Sequence, residues 1–196
     1  WRAIILTVEE IVIAIARTLG SLPVLRWAFI GAVIAILVDF SDLFMMNLLS
    51  LGGVRNYQAF DKWVDLIYMV TFLIATLKWS GIARNVAIGL FLYRIVGVIT
   101  FEFMQAADVT VLGDQSGRAI LLFFPNVFEF WVVGVAAARL FLPRYHLTLK
   151  RAAFWLIVLA AAKEFQEYAL HGAQWLDNYR ATDVVITWWT WLSGHF

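Results

Sequence analysis

The chain alternates long apolar runs with short polar breaks, and the runs have membrane dimensions. A helix crossing the hydrocarbon core of a bilayer needs ~20 mostly apolar residues at ~1.5 Å each. Six runs come near that length: Ile4–Leu19, Leu25–Leu51, Lys62–Trp79, Val86–Gln105, Ala119–Leu142 and Ala152–Leu170. The first is short and carries Glu9 and Glu10, and the second is long enough to tilt or to project beyond the lipid. A seventh stretch, Val184–Phe196, is short and rich in tryptophan (Trp188, Trp189, Trp191). Tryptophan favours the headgroup level, so this stretch reads as an interfacial helix rather than the start of a truncated span. The pattern predicts an all-α protein, a polytopic transmembrane helical bundle of about six spans in a single integral-membrane domain, with no internal repeat or linker.

Punctuation supports these bounds. Gly52–Gly53 and Ser80–Gly81 close the second and third helices, since glycine accepts the left-handed backbone of a helix C-terminus. Asp108–Arg118 is the long polar loop, and Pro143 stops the fifth helix. Pro125, inside LFFPNVFEFW, lacks an N–H and clashes one turn back, so the helix is expected to kink or open there and to free a carbonyl near Leu121. A start at Trp1 points to residues missing or removed before it, and the glutamates in Ile4–Ala16 argue against a cleavable signal peptide.

Composition makes lipid the solvent. The 196 residues are 63% hydrophobic and 15% charged, with a mean hydropathy of +0.81, whereas soluble domains are nearer half apolar and about a quarter charged. The net charge of +1 gives no basic face for a nucleic-acid partner. Without cysteine, disulfides and thiolate chemistry are excluded. His146, His171 and His195 lie too far apart for a histidine-rich metal centre.

Charge also sets a direction. Counting breaks alternately, one side collects Arg17, Arg26, Lys78, Arg84, Arg139, Arg144, Lys150 and Arg151 and no acid. The other side, with the helix halves facing it, takes all 14 acids, together with Arg2, Arg55, Lys62, Arg118 and Arg180. Cytoplasmic loops are rich in Lys and Arg. The expectation is therefore a plasma- or inner-membrane protein with an extracytoplasmic N-terminus and a carboxylate-rich outer half.

Ionisable groups inside spans are costly and commonly functional. Asp39 and Asp42 share a face of the second helix, and Asp61 and Asp65 share one of the third. Arg94 sits mid-helix with Glu102 ~12 Å outward; lacking a partner at helical spacing, it calls for one on another helix, with Glu129, Glu164 or Asp39 at plausible depths. Asn126 and Glu129 project together just past Pro125, an arrangement akin to the broken helices of transporter ion sites. Lys163 and Glu167 pair at i, i+4, leaving Glu164 about 100° round, and His171 lies one turn past Glu167. The bland reading of each pair is structural: a buried pair that fixes register. Tyr93 and Tyr168 read as packing residues, and Tyr57, Tyr145, Trp175 and Tyr179 as aromatic belts.

The polar cluster is thus Asp39, Asp42, Asp65, Arg94, Glu102, Asn126, Glu129, Lys163, Glu164 and Glu167. It favours a small cation or proton transporter or channel with an outward-facing acidic cavity. Two alternatives stand behind it. One is a membrane-embedded, metal-dependent enzyme acting on a lipid or lipid-linked substrate from outside. The other is a non-catalytic subunit of a larger membrane complex. The bilayer, a homodimer mate or a complex partner are the partners these readings imply; no cofactor, metal or catalytic residue is legible.

Overall fold

A computed structural model of the chain describes residues 8–48, 57–107, 123–168 and 181–194; within them, the side chains of Glu9, Glu10, Asp42, Asp61, Lys62, Gln105, Glu167 and residues 181–185 are among those outside the description. Every element there is helical, with no strand among the described residues. In chain order they are α1 (Val8–Ser21), a 3-10 turn (Leu22–Leu25), α2 (Ala28–Leu48), α3 (Tyr57–Leu77), α4 (Ile82–Ala106), α5 (Val127–Phe141), α6 (Leu149–Glu167) and α7 (Ala181–Ser193). The glycine pair 52–53, the loop Asp108–Arg118 and His171 lie outside the described residues.

Helix ends follow the local chemistry. Gly81 takes a φ of 64° between α3 and α4, a conformation that disfavours a Cβ. Helix α5 stops at Phe141, two residues before Pro143. Thr148 caps α6, its side-chain oxygen accepting from the Arg151 backbone N–H, which satisfies one of the orphan donors of the first turn. The run Ala119–Leu142 is not one continuous helix: the backbone breaks across residues 124–126 and α5 begins at Val127, as the missing N–H of Pro125 requires.

Helix α2 packs against α1 and α5, α3 against α1 and α4, and α5 against α4 and α6. The shared core is aromatic and small-residue: Phe72, Phe128, Trp131, Val132, Ala32 and Ala87 are nearly inaccessible. Trp131 keeps its indole N–H satisfied by donating to the Ala83 carbonyl at 3.1 Å. The outer surface is equally apolar. On α4, Leu92, Val96, Ile99 and Phe103 are 52–72% exposed along one stripe at helical spacing, opposite buried Ala87, Arg94 and Phe101.

One helix among the described residues, Ile82–Met104, is long and apolar enough to cross a membrane by length and composition; Ile11–Leu25, Ala28–Asp39 and Val64–Leu77 are shorter apolar stretches. Helix α5, which begins past Pro125, has 15 residues, ~22 Å.

The turn into α2 depends on Gly31. A Cβ there would stand 2.1 Å from the Val24 backbone nitrogen, and backbone cannot swing aside as a side chain can. Gly31→Ala is expected to cost about 3 kcal/mol or more, the upper end of overpacking penalties. Gly89→Ala, where a Cβ meets nothing within 4 Å, should be neutral or stabilising by up to ~1 kcal/mol. Thermal unfolding of both variants in detergent checks the contrast; equal midpoints would refute the tight turn.

Candidate functional site: a buried polar cluster between α1 and α5

Three helices meet at one guanidinium. Arg17, only 5% exposed, reaches from α1 to Asp39 Oδ1 on α2 at 2.9 Å through Nη2, and to Asp65 Oδ1 on α3 at 2.9 Å through Nη1. The planar fork of arginine suits two carboxylates at once. This corrects the sequence reading, which counted Arg17 with the basic loops. The Leu22–Leu25 turn folds α1 onto α2, and Arg17, one turn before the end of α1, points into the bundle instead. Asp39 and Asp65 are both brought into the site; the side chain of Asp42 lies outside the described residues.

One turn along α3 from Asp65, Tyr68 enters a second group. Its hydroxyl donates to Glu129 Oε2 at 3.2 Å and accepts from Asn126 Nδ2 at 3.3 Å, while Asn126 Nδ2 also lies 3.3 Å from the same carboxylate oxygen. Asn126 occupies the N-cap of α5 but makes no side-chain cap bond; its amide is given to the cluster instead. Its Oδ1 is buried without a hydrogen-bond partner. Glu129 sits in the first turn of α5, where the positive end of the helix dipole favours a carboxylate. Residues three apart on one helix face are neighbours, so Asp65 and Tyr68 link the two groups along α3.

The helix break supplies the third part. In a continuous helix the carbonyls of Phe123 and Phe124 would accept from the N–H groups of Val127 and Phe128. Val127 N–H turns to Pro125 O instead, and α4 side chains take over. Tyr93 OH donates to the Phe123 carbonyl, and Arg94 Nη1 donates to the Phe124 carbonyl at 2.8 Å. Gly97 lets this surface close, since a Cβ there would come within 2.4 Å of Phe124 Cβ. The acceptor for Arg94 is thus a carbonyl, where the sequence pointed to Glu129, Glu164 or Asp39. Arg94 is 8% exposed, and its Nε is buried without a partner.

The remaining candidates lie on α4 and α6. Glu102, two turns along α4 from Arg94, has Oε1 buried and unbonded. Lys163 on α6 is 7% exposed; its Nζ donates to Gln166 Oε1 at 3.2 Å and lies 5.5 Å from the Phe130 ring centre. The side chain of Glu167, its expected partner, lies outside the described residues. Glu164 is half-buried beside it.

Sequence reasoning missed Arg17 and Tyr68 and undervalued Tyr93. The signal for Tyr68 was present, as a hydroxyl three residues past Asp65 on an otherwise apolar helix. Among the described residues no three His, Asp or Glu side chains converge as metal ligands. The site brings carboxylates, a phenol and an amide, chemically groups that bind or pass protons, beside the Arg17 guanidinium. Comparison of the chain with protein-family models, with curated proteins and with solved structures gave no match.

Proposed function

We propose that the chain is an integral membrane protein that conducts protons through the Asp39–Arg17–Asp65 and Tyr68–Asn126–Glu129 groups. On this reading α1 to α6 cross or enter the bilayer in alternation, α7 lies at its interface, and the all-basic ends face the cytoplasm, leaving the N-terminus outside. The exposed apolar stripe of α4 and the exposed Phe154, Ile157 and Phe165 of α6 support lipid contact, since soluble monomers rarely carry apolar faces of that extent.

The observation that carries the reading is a carboxylate bonded to a phenol and an amide at the broken start of α5, the phenol one helical turn from one of two carboxylates held by a guanidinium. Ionisable groups gathered in this way within apolar helices commonly serve proton or ion pathways. Within each group the side chains bond directly, and the Tyr68 hydroxyl both donates and accepts. Such a chain can pass a proton, whereas a metal cation would first have to shed its water. A small cation remains the second substrate the acidic cluster would admit. The enzyme reading has no observation of its own, because no carboxylate triad converges among the described residues.

The test is a flux measurement on purified protein in liposomes carrying an internal pH dye, with a potassium–valinomycin potential. Protein-containing vesicles should acidify faster than protein-free ones, and sodium or potassium flux should stay at the background. Cation flux without proton flux would replace the proton by the cation; flux of neither would overturn the proposal and leave the cluster as a structural lock.

A further inference from the structure

At the basic end of the bundle a cavity of about 260 Å³ opens between the start of α2 and the ends of α3 and α5, walled by Trp27, Phe29, Ile30, Trp79, Arg139 and Leu140. We infer that this groove is a binding site for an anionic phospholipid, with the phosphate held by Arg139 and an acyl segment along the tryptophans. The inference rests on the membrane reading above and adds a ligand to a different place in the molecule.

Two features point to that chemistry. The first is charge. Arg139 is exposed, its guanidinium lies 4.9 Å from the Trp79 ring centre, and no acid among the described residues pairs with it. Arg26 stacks over Trp27 at 5.3 Å next to the groove, and Lys78 and Arg84 sit at the neighbouring ends of α3 and α4. Lys78 is engaged elsewhere, its Nζ donating to the Leu25 carbonyl at 2.6 Å, and Arg139 is the cation that lines the groove. Basic pockets between helices at the cytoplasmic side recognise anionic headgroups.

The second feature is shape and lining. The volume is below the ~300–1,000 Å³ of pockets that enclose a whole small ligand, so it takes one segment of a larger amphiphile. Apart from Arg139 the walls are aromatic or aliphatic, with Trp27 half exposed at the rim. A free phosphate would meet one cation and an apolar wall. A phospholipid satisfies both, its phosphodiester on the guanidinium and its chain on Phe29, Ile30 and Leu140. Tryptophan at the headgroup level suits the junction between them.

The experiment compares lipid retention by native mass spectrometry, using dioleoyl phosphatidylglycerol and dioleoyl phosphatidylcholine on the detergent-purified full chain. Wild type should retain the anionic phosphatidylglycerol preferentially, and Arg139→Gln should cut that preference about fivefold, the scale of one surface cation acting on an anionic lipid. Arg144→Gln, which removes a loop charge outside the groove, should leave it intact. Equal retention of the two lipids by wild type, or equal losses in the two variants, would overturn the site. So would displacement of the lipid by inorganic phosphate, which would make a free anion the ligand. Alkaline carbonate extraction of membranes containing the wild type separates this from the parent reading: release of the protein would refute the membrane assignment, whereas retention with no lipid preference would refute the groove alone.

Discussion

Replacing Arg17 with methionine should lower stability by about 3 kcal/mol, the low end of the ~3–5 kcal/mol that follows loss of one partner from a buried ion pair. The low end applies because Asp39 keeps 38% of its side chain exposed and Asp65 keeps 21%, so water offsets part of the loss. The cost arises from what is left behind. Methionine fills the stem of the arginine, but two carboxylates on adjacent helices then face each other without the guanidinium that held them at 2.9 Å. Neutralising both in Arg17→Met/Asp39→Asn/Asp65→Asn should recover most of the loss, since replacing a whole buried ionic group is far cheaper than breaking it. Thermal unfolding in detergent reads both variants. An unchanged midpoint for the single variant would mean that the three helices are not locked at this point.

The helical class was legible because apolar runs of membrane length leave few other solutions, and so were the stops at Gly81 and Pro143. The break at Pro125 was legible for a covalent reason, the missing N–H. What the sequence could not show is which unmet needs answer each other. It demanded an interhelical partner for Arg94 and, separately, a donor for a carbonyl freed near Leu121, which lies outside the described residues; the structure gives Arg94 the Phe124 carbonyl at the same break. A search for opposite charge cannot find a backbone acceptor. Arg17 was misplaced because distance along the chain put it at a span end, whereas the Leu22–Leu25 turn folds that end back into the bundle. Tyr68 was overlooked because one phenol on an apolar helix looks like any interfacial aromatic until α5 brings Glu129 and Asn126 to it. Six spans were expected, and one helix among the described residues meets the length and hydropathy of a span.

The largest functional effect is expected at Glu129, the carboxylate that ties α3 to the broken start of α5. Gln keeps the side-chain length and can still accept from Tyr68 and Asn126 through its carbonyl, so the fold should stand. It cannot take up and release a proton near neutral pH, and the carboxylate's charge is gone. The most direct measurement is proton flux under an imposed potential in liposomes, wild type against Glu129→Gln at matched reconstitution, with thermal midpoints recorded for both. The account predicts at least about a tenfold fall in flux, equivalent to ~1.4 kcal/mol on the rate-limiting barrier, with midpoints within a few degrees. Undiminished flux through Glu129→Gln would contradict it, because the proton would then be crossing by a route that does not include this cluster.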